Sequence, residues 1–174
     1  CVCMTKIALI STGGTIEKVY QEKDGSFFNE KSIIEEAIKN HLRLPHTEVK
    51  VSVLFSKDSL EMTHADRLFI AESIEMTVQR YKEPVVVLHG TDTMEITARF
   101  CANYFSHNLE TPVVFTGAMR PLGYIGSDAM QNVTEALASV KLLEKGVYVS
   151  FHGKIFPAAF VRKNRDRGTF ELLS

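Results

Sequence analysis

The sequence predicts an α/β fold, a mostly parallel sheet flanked by helices, and three observations carry that expectation. Short apolar runs rich in β-branched residues recur along the chain, and segments with helical periodicity lie between them. Several of the runs are continuous rather than alternating, as strands buried on both faces must be.

In order, the strand-like runs are "IALI" (7–10), "VKVSVLF" (49–55), "VVVLH" (85–89), "PVVFTG" (112–117) and "VYVSFHG" (147–153). Between them Ile33, Ile34, Ala37 and Ile38 share one helix face. Leu68, Ala71, Ile74 and Val78 share another, and Val133, Ala136, Leu137 and Val140 a third. Thr63 with Asp66 three residues on reads as an N-cap with an acidic first turn. Ser127 or Asp128 is placed to cap the last helix, and Gly146 stands where that helix should end.

With 174 residues, 45% of them hydrophobic, and a net charge of -1, the chain suits one domain (1–174) with a substantial core. The charge balance argues against nucleic acid as a partner. Arg162, Lys163, Arg165 and Arg167, interleaved with Asp166, read by themselves as a solvated loop. No apolar run reaches the length of a membrane-spanning helix, so no membrane partner is expected. Cys1, Cys3 and Cys101 are too few and too odd for a disulfide framework, which points to a reducing, cytoplasmic setting. No second Cys/His pair accompanies Cys1 and Cys3 at metal-ligand spacing, so no metal is expected. Met4 before "TKIALI" reads as a natural start, with residues 1–3 a leader or tag remnant.

Parallel sheets bind ligands beyond the carboxyl ends of their strands, so the residues after each run are the candidates. "TGGT" (12–15) is a tight turn without the spacing of a phosphate loop. "HGTDTME" (89–95) places a glycine, two threonines and a carboxylate at a strand-to-helix junction. Capping by Asp92 or Thr93 explains part of it, but not Gly90 or the other threonine. His89 and His152 read as satisfied core or rim histidines, Cys101 as a small core residue, and Arg120 as pairing with a carboxylate.

"TGGTI", "HGTDTMEITA" and "GAMRP" (117–121), with "KDSLEMT" (57–63) and "RKNRDRGTF" (162–170), resemble the signature loops of the bacterial-type L-asparaginase family, in order and along the whole chain. The resemblance implies hydrolysis of L-asparagine to L-aspartate and ammonia without a cofactor, glutamine being a poor substrate. It implies Thr15 as nucleophile, with Tyr20, Thr91, Asp92 and Lys163 in the catalytic set. Gly14, Asp58, Ser59, Gly90, Thr91, Asp92 and Ala118 are the expected substrate-binding residues. The chemistry agrees: an amide needs an activated nucleophile, a stabilised oxyanion and a proton for the departing ammonia. Lys163 can serve as a base through Thr91 if it is partly withdrawn from water. Tyr20 and the following "QEKDGSF" read as a lid.

The smaller second domain of the usual family members is absent from this chain, so the short-chain, single-domain form is expected. A homo-oligomer, dimer or tetramer, is expected too, with Ile155, Phe156 and Phe160 and the segment "NYFSHNL" as interface candidates. Two other readings remain: an ammonia-releasing subunit of a tRNA-dependent amidotransferase, and a non-catalytic amino-acid-binding protein.

Overall fold

The computed structural model describes residues 4–17, 33–106 and 108–173. Strands and helices alternate as β1 (Thr5–Ser11), α1 (Ile33–His41), β2 (Thr47–Val53), α2 (His64–Tyr81), β3 (Val85–Leu88), α3 (Met94–Phe105), β4 (Pro112–Thr116), α4 (Ala129–Ser139) and β5 (Gly146–Phe151). Three short strands follow: β6 (Lys154–Pro157), β7 (Val161–Asn164) and β8 (Thr169–Leu172). The main sheet runs β2-β1-β3-β4-β5-β6. Its first five strands are parallel, and β6 returns antiparallel along β5. β7 and β8 pair as a separate antiparallel ribbon.

The continuous apolar runs have the physical cause the sequence suggested. Ala8, Ile10, Val85, Val87, Val113 and Phe115 pack into one core with residues of α2 and α3. Their neighbours Ile7, Leu9, Val86, Leu88 and Val114 pack on the other face with α1 and α4. Every residue of β3 is fully buried. Each such side chain contributes about 1.5–3 kcal/mol by leaving water.

Several expectations are adjusted. β2 lies at the sheet edge, so its run is only half-buried, and Val53 is exposed. The fourth helix ends at Ser139, and Gly146 begins β5 instead of closing it. The capping box of α2 is present: Thr63 Oγ1 accepts from the Asp66 N–H, and Asp66 accepts from the Thr63 N–H. At α4, Ser127 Oγ accepts from the Ala129 N–H, whereas the Asp128 carboxylate turns away to accept from the Met119 and Arg120 N–H groups. The Arg120 side chain makes no ion pair among the described residues, so the expected carboxylate partner is met by its backbone instead. Of the apolar surface candidates, Ile155 and Phe160 are exposed, but Phe156 is in the core. No helix among the described residues is long and apolar enough to cross a membrane.

Candidate active site

From β1 the chain passes to β2 on one side, then crosses to β3 on the other, so the order reverses between β1 and β3. The loops leaving these two strands lie at that switch point, the place where sheets of this order hold ligands. The predicted loops "TGGT" and "HGTD" are the two that leave β1 and β3.

Glycines bring these loops into backbone contact. Gly13 and Gly14 have φ of +94° and +95°, a region that favours glycine. A Cβ on Gly13 would stand 2.6 Å from the Lys57 nitrogen, and one on Gly14 2.6 Å from the Gly90 nitrogen. A Cβ on Gly90 would meet Ser59 Oγ at 2.6 Å. The loops after β1, β2 and β3 are thereby stacked, and the Lys57 N–H donates to the Thr12 carbonyl across the first pair at 3.1 Å. Thr15 follows at once, half-buried, as the first residue of a short 3-10 turn (Thr15–Glu17). Ile16, with 1% of its surface exposed, anchors that turn in the core.

The junction before α3 does not serve capping. Thr93 occupies the N-cap position without a side-chain cap, and its hydroxyl donates to the Ser59 carbonyl at 2.8 Å. Asp92 faces the β7–β8 ribbon. Lys163, on β7 with 10% of its side chain exposed, donates to Thr91 Oγ1 at 2.8 Å and to Asp92 Oδ1 at 2.9 Å. Arg165, from the turn of the ribbon, donates to the same Oδ1 at 2.7 Å. Lys163 first, and then Arg165, hold the Asp92 carboxyl below its ordinary range against the opposing effect of burial.

Behind this group lies His89, wholly buried at the end of β3. Its Nδ1 is 2.7 Å from the Gly90 carbonyl, which can only accept, so Nδ1 carries the proton. Burial pushes this histidine down to about 4, the Gly90 bond opposing and the charge of Arg67 adding. The ring therefore stays neutral and fixes the Gly90 carbonyl, hence the peptide that presents the Thr91 N–H.

The ribbon is moored at several points. Arg99 of α3 donates to the Val161 carbonyl at 3.0 Å, and the Phe170 ring packs edge-on against Phe151. His152 bridges Thr169 Oγ1 at 2.9 Å and Asp128 Oδ2 at 2.7 Å. Burial opposes the charge of Asp128, but the Met119 N–H, His152 and the Arg120 N–H hold its carboxyl low. Asn132 completes the link, donating to the Gly117 carbonyl and accepting from the His152 N–H.

The structure thus brings Gly14, Ser59, Gly90, Thr91, Asp92 and Lys163 together, with Thr15 beside them. Asp58 sits next to Ser59, with its carboxylate accepting from the Leu60 N–H in the turn. Ser59 is buried, and so is Ala118, which joins the core beneath the loop after β4. Tyr20 and the lid segment lie outside the described residues. Sequence reasoning missed Arg165, which the mixed charges of 162–167 assigned to a solvated loop. It also missed the part of Thr93 in holding Ser59, and the Asp128–His152 link. No sequence signal marks the latter, because its members come from three separate elements.

A parallel sheet whose switch-point loops gather hydroxyls and a carboxylate, met by a half-buried lysine from the ribbon, defines the α/β class with a strand-end site. Residues 6–171 match the family model "Asparaginase, N-terminal", and the chain belongs to that family. It is 30% identical over 151 residues to a subunit of the glutamyl-tRNA(Gln) amidotransferase of Methanococcus maripaludis strain C7, covering 87% of this chain and 36% of that protein. It is 32% identical over 163 residues to an L-asparaginase of Bacillus licheniformis, covering 91% and 49%. The thermostable L-asparaginase from Thermococcus kodakarensis superposes with a TM-score of 0.84 at 26% identity, covering 97% of this chain and 51% of that one. A probable cytoplasmic L-asparaginase from Campylobacter jejuni gives 0.76 at 29%, with the same coverage. The chain spans about half of those structures and about a third to a half of the curated relatives.

Proposed function

We propose that the chain is an amidohydrolase that converts L-asparagine and water to L-aspartate and ammonia, with Thr15 as nucleophile. The observation that carries this reading is the 2.8 Å hydrogen bond from Lys163 to Thr91, beside Asp92 and against the "TGGT" turn. Binding an amino acid does not require a lysine spent on a threonine hydroxyl; relaying a proton does.

In this scheme the Thr15 oxygen attacks the side-chain amide carbon and the C–N bond breaks. The nucleophile's proton passes to the departing nitrogen, which leaves as ammonia. Water then cleaves the resulting ester, releasing aspartate and restoring the threonine. The Gly14 and Thr91 N–H groups serve the developing oxyanion, the Thr91 peptide being held by His89. Ser59 and neighbouring N–H groups take the α-carboxylate, and Asp92 takes the α-ammonium. Lys163 and Thr91 act as the proton relay.

Self-association through the face bearing Ile155 and Phe160 belongs to the same reading. So does a cytoplasmic location, the word used for the Campylobacter neighbour. One second reading has a specific observation behind it: similarity to glutamyl-tRNA(Gln) amidotransferase subunits favours an ammonia-releasing component that works beside a tRNA-binding partner. Ammonia release by the purified chain from asparagine, from glutamine and with no partner present tests both. Turnover of asparagine by the chain alone supports the hydrolase. Silence until such a partner is added supports the amidotransferase component.

A further inference from the structure

Asp92 carries one negative charge and is met by two cations. Among the described residues it is the only ion-pair partner of Lys163 and of Arg165, and both hydrogen bonds land on Oδ1. The cluster is net positive at the point where the proposed function places the substrate's α-ammonium. Lys163 is fixed by burial and by Thr91, whereas Arg165 has 64% of its side chain exposed. An ammonium arriving at Asp92 must either displace Arg165 or become a third cation at a single carboxylate.

We propose that Arg165 is a specificity-determining residue: it competes with the substrate's α-ammonium for Asp92, and so lowers the margin by which the cleft favours asparagine over amides of short dicarboxylic acids without a free α-ammonium, such as succinamate. This rests on the amidohydrolase reading and refines the specificity of the same site. A substrate whose α-position is uncharged leaves the Arg165–Asp92 pair intact while its carboxylate still meets a positive site. Two unit charges at contact distance in a watery setting weaken binding by about fivefold, and added salt reduces that effect.

Calorimetry with the two product acids, L-aspartate and succinate, at low salt reads this without requiring turnover. Arg165→Gln should raise the preference for aspartate over succinate by about fivefold relative to the unaltered chain, with the difference shrinking at high salt. Arg165→Lys, which keeps the charge, should retain the original preference. An unchanged ratio in Arg165→Gln, equal weakening of both acids, or binding of neither acid overturns the proposal. Ammonia release from asparagine and succinamate is measured in parallel. If neither amide is hydrolysed, the amidohydrolase reading falls, while the binding ratios still decide the part played by Arg165.

Discussion

Gly14 and Gly90 touch backbone to backbone: a Cβ on Gly14 would lie 2.6 Å from the Gly90 nitrogen and 2.7 Å from its Cα. Neither neighbour is a flexible side chain that could move aside. Gly14→Ala adds the strain of a positive φ to this overlap, and a loss of about 1–3 kcal/mol is expected from crowding alone. Gly90→Ala collides with Ser59 and should cost less stability but as much activity. Urea midpoints and ammonia release measured on the same preparations check the split. A fully active Gly14→Ala protein would show that the two loops are not held together as described.

Lys163 and Arg162 are adjacent on β7 but point to different partners, Arg162 pairing with Glu171 across the ribbon at an exposed position. Exposed pairs contribute little, about 0–1 kcal/mol. Lys163→Met should therefore abolish most turnover, and Arg162→Met should be mild. Steady-state kinetics decide, and the opposite order would remove Lys163 from the relay.

Thr15→Ala and Thr91→Val should each lower kcat by about a hundredfold to a thousandfold, the loss typical of one transition-state interaction. Circular dichroism should show an intact fold in both. Near-normal kcat in either variant would take that threonine out of the mechanism.

Stability should fall as the pH drops from His89's ordinary value of 6.5 toward about 4, because the unfolded chain takes up a proton there that the buried ring refuses. Below that range the penalty is complete, at most about 3 kcal/mol. His89→Asn, which keeps an N–H near the Gly90 carbonyl, should flatten this part of the profile. Denaturant titrations at several pH values provide the measurement.

Asparagine should be strongly preferred over glutamine, whose extra methylene displaces the amide from Thr15 when Ser59 and Asp92 hold the other end. Misplacement by about an ångström costs about a hundredfold. Comparable kcat/KM values for the two amides would contradict this.

The sheet was legible because burial on both faces leaves a direct trace, as the unbroken Val85-Val86-Val87-Leu88 shows. The edge position of β2 was not, since Val49, Val51 and Val53 carry the same β-branched character whether or not a neighbour covers them. The site was legible in its loops, where glycines and hydroxyls are unusual enough to stand out. Arg165 was hidden because one arginine in a mixed-charge turn looks the same whether it faces water or, as here, a carboxylate 73 positions away. Between the two capping candidates, Ser127 and Asp128, the sequence could not choose: acceptors on a folded chain serve whichever N–H groups the fold delivers, and Asp128 meets those of Met119 and Arg120 while Ser127 meets that of Ala129.

The ribbon that delivers Lys163 is not part of the main sheet. It consists of two strands of four residues each, moored by Arg99, by His152 and by the Phe151–Phe170 contact. Two-stranded pieces have little stability of their own, and such units open locally at a lower free energy than the whole molecule. Detachment of the ribbon would withdraw the lysine from Thr91 while leaving all six strands of the main sheet paired. Heat inactivation of this protein should therefore precede its loss of secondary structure, and amide protons of β7 and β8 should exchange with solvent well before those of β3.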